Sequence, residues 1–388
     1  MKSNVSVDMP PDFSREVRCV LGLPFDAMSE AEAEEATRKA VSERRRCFMS
    51  TPNLNFAVAC LKDSVFRASV LQSDLSLADG WPVVAWARLS QVELPGRVAG
   101  SSLFERLRTS NKRPALSVYF FGGPDGAAEQ ACMQLCAENS GLTGVGFATP
   151  GFGSIEEMST DEHIDSINLA QPDILVLALG AKKGQAWIQH NLARLQVPVV
   201  THLGAVVNFV AGSVKRAPAW VQAIQLEWLW RIVEEPALWR RYSSDGSVFI
   251  SLLVRRFLTS RKMNPSRHSQ LTDPVDMSIR TMEGTLGATL TLSGSWTDVN
   301  LTPLRDEFSK LCCLRKDVCL DMAKVTQLDS AAIALMTLIY GWQLKMKLGW
   351  RLTEASVATR IALKIAHAEF LLESSQRALK NNGCVNSK

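Results

Sequence analysis

Short apolar runs alternate with stretches of helical apolar spacing along the first two thirds of the chain. Arg18–Leu23, Cys47–Ser50, Ser117–Phe121, Gly144–Phe147, Asp173–Leu179 and Val197–Thr201 read as strands. Ser29-Glu30-Ala31-Glu32 reads as a capping box that opens a helix to about Arg45. Leu54–Leu77 places Ala57, Val58, Leu61 and Phe66 at helix-compatible positions and then returns to a strand. Further helices are expected over Trp81–Leu89, from Ser101 to Arg108, after Gly126, over Glu162–Leu169 and through Trp187. The grammar is β-α-β, so the expected class is α/β with a Rossmann-like parallel sheet.

In such sheets ligands bind at the carboxyl ends of the strands, so the strand-to-helix junctions are where chemistry is sought. Thr51-Pro52-Asn53 closes one strand and Ala78-Asp79-Gly80 closes the next, which brings both triplets to one sheet edge. Asp before Gly is also an ordinary way to write a turn, and the triplet alone does not choose. Arg97, between Pro95-Gly96 and the following helix, is suited to meeting an anion. Gly122-Gly123 after the buried Ser117–Phe121 strand permits close approach of a ligand or simply a tight turn.

Composition narrows the class. With 46% apolar and 21% charged residues the chain can bury large cores, and 388 residues suggest two domains. The net charge of +4 is small, so its placement matters more than its size. Residues 213–262 hold nine Lys or Arg against four Asp or Glu, together with Trp220, Trp228, Trp230 and Trp239. That mixture suits a surface meeting phosphates and lipid headgroups, or a helical subdomain with a solvated basic face. Nucleic-acid binding is disfavoured, because the charge is local and no nucleic-acid-binding motif accompanies it. Nine cysteines without a CxxC pair or a secretory-type start fit a reducing cytoplasm. The five histidines lack metal-ligand spacing, so no metal or cofactor is expected. No apolar run approaches the roughly 20 residues that span a bilayer.

Thr259–Met277 carries prolines, serines and charge without periodicity and reads as a linker. Beyond it, a strand at Ala288–Leu292, a helix at Leu304–Leu311, a strand at Val318–Met322, a helix at Ala331–Met346 and a last strand and helix around Arg351–Ala366 predict a small α/β unit. The divisions expected are 1–14 as a disordered start, 15–212 as the core, 213–258 as a basic helical appendage, 259–277 as linker, 278–376 as second domain and 377–388 as tail.

The ordered set Thr51-Pro52-Asn53, Ala78-Asp79-Gly80, Pro95–Gly100, Phe121-Gly122-Gly123, Pro172-Asp173-Ile174, Arg216-Ala217-Pro218, Leu226-Glu227-Trp228, Arg231, Glu235-Pro236 and Arg240-Arg241-Tyr242 resembles the WecG/TagA/CpsF glycosyltransferases. The resemblance implies an inverting, metal-independent enzyme moving a sugar from a UDP-sugar donor to a polyprenyl-diphosphate-linked sugar in bacterial surface or exopolysaccharide synthesis, peripheral on the inner face of the cell membrane. It makes Asp79 the base and implies substrate contacts from Thr51, Asn53, Arg97, Gly122, Gly123, Arg231, Arg240 and Arg241. Where the family writes Gly-Ala-Pro-Lys-Gln-Glu-x-Trp, this chain has Gly180–Trp187 with Gly184 at the glutamine position, and Gln185 is the candidate substitute. The family's Phe-Asp pair corresponds to Val207-Asn208 or Asn208-Phe209.

Residues 278–375 resemble a STAS domain through Asp321 and Asp329-Ser330. That resemblance implies a protein partner and makes Ser330 a regulatory phosphorylation site or, alternatively, a plain helix cap. Two functions follow: a membrane-associated glycosyltransferase with a regulatory or docking domain, or a non-catalytic sugar-nucleotide-binding scaffold or sensor.

Overall fold

The computed structural model describes residues 9–138, 140–218, 220–221, 226–260, 275–281 and 287–373. In chain order the strands are β1 (Val17–Val20), β2 (Leu23–Asp26), β3 (Cys47–Ser50), β4 (Leu75–Ser76), β5 (Leu116–Gly122), β6 (Leu142–Ala148), β7 (Ile174–Ala178), β8 (Val199–His202), β9 (Asp276–Thr281), β10 (Gly287–Trp296), β11 (Asp317–Leu328) and β12 (Trp350–Thr353). Strands buried on both faces read as unbroken apolar runs. Six of them form one parallel sheet in the order β4-β3-β8-β7-β5-β6. One apolar layer built on Val118, Phe120, Val176 and Val199 covers one face, and another built on Phe121, Leu177, Trp187 and Val200 covers the other. The expected parallel α/β core is present.

Local chemistry explains most helix starts. The Ser29 capping box forms, with Glu32 returning the bond to the Ser29 backbone. The single helix expected after Asn53 is instead two, Leu54–Lys62 and Ser64–Leu71, because Asp63 adopts extended angles, ends the first and caps the second through Phe66 N. Arg18–Leu23 is not one strand but the middle of a β1–β2 hairpin, turned by Leu21 and Gly22 at φ 51° and 77°. Arg15 and Asp26 pair at 2.5 Å in its buried face, and Asp26 also accepts from Ser76 N at 2.7 Å, tying the hairpin to β4.

The second unit is a four-stranded sheet, β12-β11-β10-β9, parallel except at β9. β9 was not expected. Its first residues fall inside the stretch read as linker, most of which lies outside the described residues, while helix Trp239–Ser260 extends past the expected end of the appendage at 258. The helix Ser330–Met346 is apolar on all sides, and every residue from Ala331 to Gln343 is buried. One side meets β11 and the helix Thr302–Cys313; another meets the β1–β2 hairpin and helix Ser64–Leu71, so Val17, Phe25, Val70, Leu290 and Ile339 share one core. Gly341 faces the carbonyl of Leu71, where a Cβ would stand 2.5 Å from the oxygen. Arg18 bridges to Asp298 at 2.7 Å, and the Arg67 guanidinium lies 4.2 Å from the Phe370 ring centroid.

This shared core makes the second unit part of the first unit's folding. A chain ending at Lys262 should lose its sharp thermal transition and aggregate, because the hairpin face is left open; a truncated chain that melts as cooperatively as the full chain would contradict this. Gly341→Leu should cost about 1–3 kcal/mol in a denaturant titration, because the obstacle it meets is backbone.

Candidate active site

The carboxyl ends of β3, β4, β5, β7 and β8 open into one cleft of about 680 Å³, roofed by the helices Glu227–Glu234 and Trp239–Ser260. Backbone bonds past the sheet edge fix its floor. Leu77 N donates to Ser50 O at 2.9 Å, Asp79 N to Pro52 O at 3.1 Å, and Val98 N to Ala78 O at 2.9 Å. The two triplets are thereby zipped side by side, as their positions in the sequence implied. Gly80, at φ 105°, lets the chain leave the strand directly into helix Trp81–Leu89.

Thr51, Asn53, Asp79, Arg97, Gly123, Arg231 and Arg241 all line this cleft. Asn53 spends its side-chain oxygen on capping its helix, accepting from Phe56 N at 3.2 Å, which leaves its NH₂ for a ligand. Gly100 must be glycine, since a Cβ would run into Leu203 and lie 3.2 Å from Thr51 Cγ2.

Three expected residues lie elsewhere. Gln185 is buried in the core and donates to Ser50 Oγ at 2.8 Å, so it does not substitute for the missing glutamine in the cleft. Gly122 sits behind Gly123 against Leu179, and Arg240 is exposed outside the cleft lining. Ser330 stands at the first position of its helix, whose cap is Asp329 accepting from Ala332 N at 2.9 Å.

Asp79 is the electrostatic centre. Its side chain keeps 27% of its surface open and lines the cleft. Burial pushes its carboxyl up, Arg97 pulls it back, Glu227 raises it again and Arg231 opposes; the balance is about 6. Arg97 lies between the two carboxylates, with Nε 4.0 Å from Asp79 Oδ1 and Nη2 2.5 Å from the buried Glu227 Oε2. Arg231 reaches Glu235 at 3.3 Å and leaves Nε without a partner among the described residues. The far end of the cleft carries Asp245, bonded to Asn55 at 3.0 Å and with its carboxyl raised by burial.

Glu227, Asp245 and His202 were not anticipated as cleft residues. Glu227 stood within a noted motif, but its pairing across 130 positions with Arg97 is visible only in three dimensions. Asp245 and His202 carried no motif at all.

A doubly wound sheet whose carboxyl edge presents one basic aspartate, beside Arg97 and two arginines from an added helical segment, has the build of an α/β enzyme. The model of the glycosyl transferase WecG/TagA/CpsF family matches residues 18–263, more than half of the chain, and the chain belongs to that family. It is 26% identical over 214 residues to the N-acetylglucosaminyldiphosphoundecaprenol N-acetyl-beta-D-mannosaminyltransferase of Bacillus subtilis (strain 168), covering 55% of this chain and 81% of that one. The Bacillus spizizenii enzyme of the same name is 26% identical over 234 residues, 59% of this chain and 89% of that one. The one from Staphylococcus aureus (strain MRSA252) is 22% identical over 234 residues, 59% and 88%. The chain is a glycosyltransferase, as the motif order implied.

Arg97→Gln removes the cation that holds the Asp79 carboxyl down. In protein carrying ¹³C-labelled aspartate, with Asp79→Asn used to assign the resonance, that carboxyl should titrate above the wild-type value of about 6. An unmoved or lowered titration would show that Arg97 does not set it.

Proposed function

We propose that the chain transfers a sugar from a UDP-sugar to a polyprenyl-diphosphate-linked sugar with inversion at the anomeric carbon. The acceptor hydroxyl attacks that carbon while Asp79 takes the hydroxyl proton; the bond from carbon to the diphosphate oxygen breaks, and UDP leaves with the electron pair. The observation that carries this reading is Asp79 at the sheet edge inside the cleft, 4.0 Å from Arg97 Nε, where burial raises its carboxyl to about 6, ionised at neutral pH yet more basic than an ordinary aspartate. Arg231 and Arg241, which line the same cleft, are the groups suited to neutralise the leaving diphosphate without a metal. Thr51 and the free NH₂ of Asn53 are suited to sugar hydroxyls. The named activity of the relatives supports an undecaprenyl-diphosphate-linked acceptor. A non-catalytic scaffold rests on Gly184 and the added second unit; the basicity of Asp79 favours the enzyme.

Attachment to a membrane face is proposed for the same appendage. No helix among the described residues is long and apolar enough to cross a membrane. Trp220, Leu229, Val233, Trp239, Ile250 and Val254 are nonetheless exposed on one segment with Arg240 and Arg255, a combination that binds anionic interfaces. For the second unit we propose a STAS-like docking role, supported by its mixed sheet and by Ser330 at a helix start, where a phosphate would add charge beside Asp329.

Asp79→Asn should lower turnover on a short-chain lipid-diphosphate-sugar acceptor by about 10²–10⁴-fold, followed by mass spectrometry, while UDP binding by calorimetry is kept. Full turnover in that variant would remove Asp79 from the role. Val233→Glu with Val254→Glu should weaken sedimentation with anionic liposomes and spare turnover on a soluble acceptor; unchanged sedimentation would contradict the membrane face.

A further inference from the structure

The cleft has two chemically distinct walls. One carries Asp79, Arg97, Glu227, Arg231 and Asp245; the other, from the ends of β7 and β8, is uncharged and made of Ala178, Gly180, Gly204, Asn208 and His202. His202 closes β8 and lines this neutral wall, its ring packed against Gly184 and Gly204. Its Nε2 is shielded from water and has no hydrogen-bond partner among the described residues. Burial alone pushes the imidazole down to about 4, so the ring is neutral throughout the physiological range. The Asn208 side-chain oxygen, on the same wall, also lacks a partner. An unpartnered polar atom inside a protein is costly unless a ligand completes it.

Gly184 makes the placement possible. A Cβ at 184 would collide with His202 Cδ2 and Cγ, and any side chain there would displace the imidazole from the wall. Glycine inside helix Ala181–Asn191 weakens that helix against alanine, and what the site gains in return is room for this ring. The glycine and the histidine are thus one device.

We propose that His202 is a donor-reading residue, whose imidazole hydrogen-bonds an uncharged oxygen or NH of the nucleotide-sugar while the arginine wall takes the diphosphate. This deepens the transfer reading above and rests on it. A neutral imidazole carries one donor nitrogen and one acceptor nitrogen, the tautomer deciding which is which, so it discriminates by hydrogen bonding and adds nothing to the charge balance around Asp79. The sequence carries the same unit as Gly184 paired with a histidine at the strand end, in place of a glutamine on the helix.

The test is UDP and UDP-N-acetylglucosamine binding by calorimetry for the wild type, His202→Ala, His202→Gln and Gly184→Ala, each with its thermal transition recorded. The wild type should bind. His202→Ala should weaken Kd about 10-fold while its melting stays close to wild type, His202→Gln should recover part of the loss through its amide, and Gly184→Ala should weaken binding as His202→Ala does by pushing the ring aside. Equal Kd for wild type and His202→Ala would overturn the assignment while leaving the transfer reading intact. Weakened binding in every variant, in proportion to lowered melting, would reduce His202 to a packing residue and also overturn it. A wild type that binds neither ligand would overturn the transfer reading, and the assignment with it.

Discussion

Arg97 stands between two carboxylates that belong to different parts of the chain, and the cleft depends on that placement. One side of the guanidinium holds Asp79 at the sheet edge, and the other grips the buried Glu227 of the appendage at 2.5 Å. Taking away one member of such a buried pair costs on the order of 3–5 kcal/mol, because the other charge is left stranded. The same ion pair therefore tunes the basicity of Asp79 and pins the roof over it. A roof that takes most of the water from the carboxylate is in turn what raises its proton affinity. Position, desolvation and basicity have one origin.

The second unit reaches this cleft through packing. Helix Trp239–Ser260, part of the roof, sets Phe249 against both Trp81 and Trp86, at 6.2 and 6.1 Å between ring centroids. Trp86 is met from the other side by His367 of the second unit, at 5.7 Å, while Arg256 lies 5.9 Å over the Trp86 ring and donates to Leu89 O. The helix Trp81–Leu89 that begins beside Asp79 is thus wedged between the roof and the second unit. A unit packed this way contributes to the stiffness of the site even though none of its described residues enters the cleft lining.

Much of this was legible before any coordinates. Parallel strands buried on both faces announce themselves as apolar runs, and the triplets at their ends fell on one edge because strand-helix-strand units leave no other arrangement. The Ser29 capping box was legible for the same local reason. What stayed hidden depends on long-range partners. Asp63 looks like any charged residue in a helical stretch until its extended backbone splits the helix. The apolar helix Ser330–Met346 announces burial on all sides without naming the hairpin that buries it. Gln185 has the right chemistry one position from the right place, and a helix turns adjacent residues to different faces, so it points at Ser50 and not into the cleft.

If the half-buried, basic Asp79 does the proton transfer, the pH dependence of kcat/KM in the full chain shows it most directly, since that profile reports the free enzyme's essential base. Activity should rise with pH, reach half its plateau near the Asp79 value of about 6 and level off above about 7. A profile already flat from about pH 5 upward, or one half-maximal near the ordinary aspartate value of about 4, would contradict the account.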